Sequence, residues 1–348
     1  MKKCLSILLA SAMLASILSG CSGSGTPSND SGSTSRSGSG ETKVIQLGHV
    51  NPGSEEDNLQ YACLAFANKL NELSGGTIEV RVVSDSQLGT DREMIEGMQM
   101  GTVDMTLCMN SSLGAFVPEM QVFDLPFLFE NRDQVYAVFD DDSIMAPLEE
   151  MLYNEAGIKL LGMFDNGFRH ILNNARPINS VEDLQGLKLR LPENAIWSDC
   201  FRAFGASPTA MAFSEVYTAC QQGTVDGFEL PIPSVYSGAY WSVCKYYSLT
   251  AHLFTALNLC MSSITWDSFT EEEQQWIQEA ADYAKEENRT YIQNSEDAWL
   301  EDIEQNMEVN ECSDRSGFIE IAQTIYDDYA DEIGQDLIDS VMAKIADT

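Results

Sequence analysis

The sequence predicts an α/β protein of two similar α/β lobes with mostly parallel sheets around a central cleft, and a long helix crossing both lobes. Three observations carry this. From Lys43 onward, apolar runs of period two alternate with amphipathic runs of helical period, the pattern of βαβ units. The tetrapeptide Gly-Thr-Val-Asp occurs twice, at 101–104 and 223–226, each time where a helical pattern gives way to a strand pattern. A chain of 348 residues also has length for two domains with substantial cores.

The elements follow in order. Lys2 and Lys3 form a charged start, and Leu5 to Leu18 form an apolar stretch too short to span a bilayer. Leu18-Ser19-Gly20-Cys21 resembles a lipobox, which makes residues 1–20 a lipoprotein signal peptide and Cys21 the lipidated first residue of the mature chain. A plain secretory signal with a chance cysteine is the alternative. Of the 19 residues from Ser22 to Gly40, 15 are Ser, Gly or Thr. Residues 21–42 are therefore expected to be a lipidated, flexible tether with a root-mean-square reach of about 25 Å. The protein is expected to be extracytoplasmic, held to a membrane by acyl chains, on the periplasmic or outer side.

Val44, Ile45 and Leu47 begin the first strand, followed by a loop over 48–53. A helix from about Glu55 places Leu59, Ala62, Phe66, Leu70 and Leu73 on one face and closes at Gly75-Gly76. Ile78, Val80 and Val82 alternate as a strand. A helix over Asp91 to Met100 stops at Gly101, and a strand is expected over Val103 to Leu107. Lys159 to Phe164 read as a buried strand that crosses between lobes. Leu187, Leu189 and Leu191 alternate with Lys188 and Arg190, and Pro192 ends that strand. Thr270 and Glu273 make a capping box for a long acidic helix carrying Trp276, Ala280, Tyr283, Tyr291 and Trp299. A second helical region runs from about Phe318 to Ala346. These assign lobe one to 43–166 plus about 255–295, and lobe two to 167–254 plus about 296–348.

Lys and Arg number 19 against 54 Asp and Glu, a formal net charge of −35. That field excludes nucleic acid as a partner. Any site for an anion must work at short range through aimed donors. Arg190 then raises a question: it is either an ordinary strand residue or a group meant to meet something anionic. Cys63, Cys108, Cys200, Cys220, Cys244, Cys260 and Cys312 follow Cys4 and Cys21 with no C-x-x-C spacing. Most read as core thiols, and their disulfide state stays open. His49, His170 and His252 are scattered, so no metal site is visible. No Ser-His-Asp or Cys-His order stands out, and no cofactor is called for.

Several segments in order carry a resemblance: Gln87-Leu88-Gly89-Thr90-Asp91-Arg92, Gly101-Thr102-Val103-Asp104-Met105, Phe123-Asp124-Leu125-Pro126-Phe127 and Asp165-Asn166-Gly167-Phe168-Arg169-His170. Gly186 to Pro192, the run Gly205-Ala206-Ser207-Pro208-Thr209-Ala210-Met211-Ala212-Phe213-Ser214-Glu215-Val216-Tyr217, and Val225-Asp226-Gly227-Phe228-Glu229 complete it. Together they resemble the substrate-binding proteins of tripartite ATP-independent periplasmic (TRAP) transporters, over essentially the whole chain after the tether. The run ending at Tyr217 is similar to the sialic-acid-binding members.

The resemblance implies a periplasmic-binding-protein-like fold and a carrier that is not an enzyme. It implies a small organic acid as ligand, and small and large membrane subunits of a TRAP-type transporter as partners. It places a carboxylate contact on Arg190, a second arginine on Arg169, an aromatic wall at Phe213 and polar contacts near Asn51 and Asn110. A guanidinium suits the first role because it is planar, permanently charged and able to hold both carboxylate oxygens. Arg169 pairing with an acidic neighbour, and Phe213 serving as core, are the plainer alternatives. Three departures bear on the ligand: Leu230 stands where sialic-acid binders carry asparagine, the acidic contact expected on lobe one falls at or beside Met109, and Glu193 follows Arg190 where a neutral amide is commoner. They disfavour sialic acid and leave a sugar acid such as a hexuronate, or a simpler carboxylate. A secreted carbohydrate-active enzyme using paired carboxylates, and a receptor feeding a sensor kinase, are the rival readings.

Overall fold

The computed structural model of the chain describes residues 42–348, so the expected signal peptide, the Cys21 lipidation site and the tether through residue 41 lie outside the described residues. The first part of the chain runs β1 (Lys43–Gly48), α1 (Asn58–Leu73), β2 (Ile78–Val83), α2 (Asp91–Met100) and β3 (Met105–Met109). Next come α3 (Arg132–Phe139), α4 (Asp142–Ala156) and β4 (Ile158–Asn173). A second α/β run follows: β5 (Lys188–Leu191), α5 (Ala195–Ala203), β6 (Ser207–Ala210), α6 (Val216–Gln221), β7 (Gly227–Pro231) and α7 (Ile232–Ser237). The chain ends with β8 (Tyr246–Ser262), α8 (Ser263–Asp267), α9 (Glu271–Glu304), β9 (Glu308–Glu311), α10 (Ser316–Ile333) and α11 (Gln335–Ala346).

The two α/β lobes share one mixed sheet of order β2-β1-β3-β8-β4-β7-β5-β6, with β9 paired to β8. The outer strands β2-β1-β3 and β7-β5-β6 are parallel, as expected. The centre differs, because β4 and β8 are long antiparallel partners that pass through both lobes. β3 pairs with the later half of β8, and β7 with the later half of β4. Between those halves the β4–β8 register shifts at Asp165/Phe168 and Arg169/Ile171. An extra residue bends a strand and increases its twist, so the shifts re-aim the sheet where one lobe hands over to the other. Gly167, with φ of 88°, takes the left-handed conformation there.

The repeated Gly-Thr-Val-Asp has a physical cause. Gly101 and Gly223 both adopt positive φ where their helices end. Val103 and Val225 then turn into the core. Asp104 Oδ2 accepts the backbone N–H of Gln46 at 2.9 Å, and Asp226 Oδ2 accepts that of Lys188 at 2.9 Å. Each aspartate therefore clamps the neighbouring parallel strand. The N–H groups of Thr102 and Val103 are held by Gly97 O at 2.8 and 3.2 Å, which is why β3 starts at Met105 rather than Val103. Likewise α1 starts at Asn58 because the Asp57 carboxylate accepts the N–H groups of Leu59 and Gln60.

Lobe one buries Ile45, Leu47, Phe66 and Leu70 against Ile277, Ala280, Ala281 and Ala284 of α9. Lobe two buries Leu172, Phe228, Tyr240 and Tyr247 with Trp299 and Ile303 from the far end of the same helix. At 34 residues, α9 is about 51 Å long. It starts with the expected Thr270–Glu273 capping box. On the opposite face a third cluster joins Phe123, Phe139, Trp197, Phe201 and Phe318. There α10 packs on α5, and α11 packs on α3 and α4.

Candidate functional site

Ligands of open α/β sheets bind beyond the carboxyl ends of the strands. Those ends converge here: Val50 follows β1, Met109 ends β3, Arg190 sits late in β5, Met211 follows β6 and Leu230 lies in β7. Between them lies a cleft of about 380 Å³ lined by Val50, Asp91 and Met109 from lobe one, and by Arg190, Glu193, Met211 and Phe213 from lobe two. A small recess at its base shares Val50, Asp91, Met109, Arg190 and Phe213, and adds Asn51, Arg169, Leu230, Asn166 and Ser234. Six of the seven residues read from the sequence as ligand contacts therefore meet at one place.

Arg190 is 1% exposed, and its Nε and Nη2 donate to the carbonyl oxygen of Met211 at 2.9 and 2.6 Å. Its Nη1 has no hydrogen-bond partner. Among the described residues no carboxylate forms an ion pair with it. Burial lowers its pKa to about 10 while the field of Glu229 opposes that, so the guanidinium is charged at neutral pH. A buried charge held only by a neutral carbonyl is costly. The β5 strand fixes it there, because Leu189 and Leu191 anchor in the core on either side.

Arg169 has a different environment. Its guanidinium is engaged by Glu229, through Nε to Oε2 and Nη2 to Oε1, and also donates to Glu229 O at 2.8 Å and Thr255 Oγ1 at 3.1 Å. It lies over the Trp197 ring with 4.9 Å to the centroid. The acidic-neighbour alternative thus describes its contacts, and its charge is already neutralised. Burial pushes the Glu229 carboxyl up, but Arg169, with His252 Nε2 3.5 Å from Oε2, outweighs that and holds it below the usual carboxylate range. This fork-to-fork pair fixes the floor of the recess.

Phe213 is half-buried, its ring 6.4 Å from that of Tyr240 and nearly edge-on, with one face on the cleft. Asn51 is buried, and its amide donates to Asp57 Oδ2 at 2.9 Å. Glu193 is exposed at the cleft rim. Asn110 is the residue that does not join. Its amide donates to Met120 O at 2.8 Å and Asp124 Oδ1 at 3.1 Å and accepts from Asn258. A buried amide takes partners wherever they are fixed, and here that turns Asn110 into a brace. Met109, one residue earlier, lines the cleft instead.

Sequence reasoning missed Asp91 and Glu229 as site residues. Asp91 opens α2 directly after the capping Thr90, and it is 7% exposed with Oδ1 unpartnered. Burial raises its pKa to about 7, against a backbone hydrogen bond from Met109 and the field of Arg190. The signal lay in the Gly89-Thr90-Asp91-Arg92 turn, where a carboxylate at a helix start faces the strand ends. Thr90, Glu93, Glu96 and Ser112 extend the same wall.

The lobes also touch outside the cleft. Ser237 Oγ donates to Asp57 Oδ2 at 2.7 Å, and Asn194 Nδ2 to Asp124 Oδ2 at 3.1 Å. At the β4–β8 crossing Asn58, Asp165 and Asn288 are mutually hydrogen-bonded. These contacts tie α1, β4 and α9 together where a hinge would act. Among the described residues no cluster of His, Cys, Asp or Glu is arranged to hold a metal ion.

The sequence and fold are met in known proteins. Residues 47–332 match the model of the family described as bacterial extracellular solute-binding protein, family 7. The 2,3-diketo-L-gulonate-binding periplasmic protein YiaO of Escherichia coli is 30% identical over 295 residues, 83% of this chain and 88% of that protein. A TRAP periplasmic solute-binding protein from Polaromonas, solved bound to D-erythronate, superposes with a TM-score of 0.83 at 33% identity, covering 86% of this chain and 98% of that one. Another from Sulfitobacter, solved with β-D-galacturonate, gives a TM-score of 0.81 at 32% identity over 88% of this chain and all 100% of that one. With the two-lobed fold, the cleft at the strand ends and these matches in agreement, the chain belongs to the family 7 extracellular solute-binding proteins of TRAP transporters, which bind a solute and carry out no reaction on it.

Proposed function

We propose that the protein captures a hydroxylated monocarboxylate, a sugar acid, and that Arg190 takes its carboxylate. The observation that carries this is a buried, charged guanidinium that faces the cleft with no carboxylate partner and one nitrogen unbonded. A visiting carboxylate supplies the missing counter-charge and accepts from Nη1 in a desolvated setting, worth about 1.5–3 kcal/mol per charged hydrogen bond. The rest of the lining selects against a second acid group. Asp91, Glu93, Glu96 and Glu193 border the same space, and the other cation there, Arg92, is already paired with Glu96 at 3.0 Å. The carboxylates would therefore repel another carboxylate, while as acceptors they suit hydroxyl groups. The likeness to proteins solved with D-erythronate and β-D-galacturonate supports the same class.

Arg169 then acts through Glu229, holding the recess in shape beneath Arg190. Closure of the lobes is a hinge motion about the β4–β8 crossing, favoured because ligand contacts complete only when both walls are present. The closed form docks on the small and large membrane subunits of a TRAP-type transporter. Cys21, acylated after signal removal, keeps it near them on the tether.

A thermal-shift panel on the purified protein tests the ligand class. D-Erythronate, D-galacturonate and D-gluconate are expected to raise Tm, whereas succinate, malate and uncharged sugars are not. The largest shift from a dicarboxylate or an uncharged sugar overturns the reading. For the anchor, Cys21→Ser is expected to move the protein from the membrane fraction to the soluble exported fraction, and retention at the membrane refutes it.

A further inference from the structure

Cys220, near the end of α6, and Cys244, just before β8, are 4% and 3% exposed with their sulfur atoms 3.3 Å apart. The two segments are pinned together independently of the sulfurs. Tyr217 and Ser242 share a hydrogen bond at 3.1 Å between the two segments, and Asn174 holds the Cys244 side against the end of β4, donating from Nδ2 to Val243 O at 2.7 Å and accepting at Oδ1 from Lys245 N at 3.0 Å. A thiol–thiol hydrogen bond is weak and does not account for the apposition by itself. A disulfide requires the sulfurs to move only about 1.2 Å closer, to roughly 2.05 Å.

We propose that Cys220 and Cys244 are joined as a disulfide in the exported protein. Family 7 proteins work outside the cytoplasm, beyond the thiol pool that keeps cytosolic cysteines reduced. The bond forms while the exported chain folds and both thiols are still reachable. Cys220 as thiolate attacks one sulfur of a small disulfide oxidant and expels one thiolate. Cys244 as thiolate attacks Cys220 in that mixed disulfide and expels the second. The two protons lost by the cysteines are taken up by the two expelled thiolates, so the oxidant is reduced to two thiols and the step balances.

Cys108 and Cys260 sit on neighbouring strands, but diagonally: Cys108 faces Asn258 and Cys260 faces Thr106. Their thiols touch, and Cys260 pushes the Cys108 thiol well above its ordinary value. Diagonal backbone positions are nonetheless about 7–8 Å apart, beyond the usual Cα span of a disulfide, so contact alone does not let this pair close and it stays reduced. The consequence of the proposed bond falls on the cleft. It closes a loop containing β7 and α7 and ties the base of α6 to the segment carrying Tyr240, whose ring lies against Phe213, Tyr217 and Phe228. The aromatic wall is then covalently braced.

The experiment uses the full-length exported protein, isolated without reductant, unfolded in iodoacetamide and digested. Mass spectrometry is expected to find one linked peptide pair joining Cys220 to Cys244, with Cys108 and Cys260 alkylated. Dithiothreitol is expected to lower Tm of the wild type by about 5–10 °C and to leave the Cys220→Ser/Cys244→Ser variant unchanged. Alkylation of both cysteines even after equilibration with glutathione disulfide overturns the proposal, as does linkage between any other pair. If the double variant fails to fold, the peptide map alone decides.

Discussion

Replacing Arg190 with methionine removes the guanidinium while keeping much of its apolar stem. In the native protein Nη1 is free and Nη2 has a second proton beyond the one given to Met211 O, so up to two charge-assisted hydrogen bonds to a ligand carboxylate are lost. At about 1.5–3 kcal/mol each the total is about 3–6 kcal/mol, a weakening of Kd by roughly two to four orders of magnitude. The unliganded protein responds differently. Met211 O loses its donors, which costs about 1–3 kcal/mol, but a desolvated charge disappears as well, and replacing buried charge by apolar volume is often neutral or stabilising. Arg190→Met is therefore expected to melt within a few degrees of wild type and to show no Tm rise with D-erythronate or D-galacturonate. Isothermal titration calorimetry with whichever of these acids binds the wild type gives the affinity. Binding within threefold of wild type refutes the reasoning, since the other arginines at the cleft, Arg92 and Arg169, are already paired with Glu96 and Glu229.

Three further outcomes follow from the same geometry. Glu229→Gln leaves the Arg169 charge buried and uncompensated, with an expected loss of about 3–5 kcal/mol measured by urea unfolding; a loss below 1 kcal/mol contradicts the assigned pair. Asp91 has a folded pKa raised to about 7 from 3.8, so the folded state holds its proton more tightly and the associated stability is lost as pH rises through 7. Asp91→Asn is spared that loss, so its stability relative to wild type is expected to grow from pH 5 to pH 8, whereas a pH-independent difference shows that Asp91 is ordinarily ionised. The buried histidines, lowered by desolvation, have the opposite dependence below about pH 6.5, and this cancels between the two proteins. Ser237→Ala removes the hydrogen bond from lobe two to Asp57 without lining the main cleft. It is expected to weaken ligand affinity by about 0.5–1.5 kcal/mol through faster dissociation in stopped-flow measurements, and an unchanged dissociation rate rules out a part in closure.

Much of the fold was legible because local physics dictates it. The capping box at Thr270, helix-ending glycines at 101 and 223, and period-two runs such as Leu187–Leu191 all act within a few residues. The Gly-Thr-Val-Asp echo was readable for the same reason, although its purpose, an aspartate clamping the adjacent strand, needed the strand partner to be seen. Arg190 stood out because cations are scarce in so acidic a chain, although its polar phase in the strand left an ordinary exposed residue open; that both faces of β5 are buried at this point needed the fold.

What sequence could not decide was which polar group meets which across long separations. Arg169 and Glu229 are 60 residues apart, and only the β4–β7 pairing brings them together; from sequence Arg169 read as a second ligand arginine, with an acidic neighbour left open as the alternative. Asn110 and Met109 are adjacent, yet the Asp124 carboxylate draws one inward and leaves the other on the cleft. The continuity of the two lobes through β4 and β8 was likewise hidden, because antiparallel register and bulges are settled by partners rather than by propensity. Sequence by itself determined the elements and the chemical kinds present, since these depend on neighbours along the chain. The tertiary structure alone decided which charge is satisfied and which is left waiting, since that depends on neighbours in space.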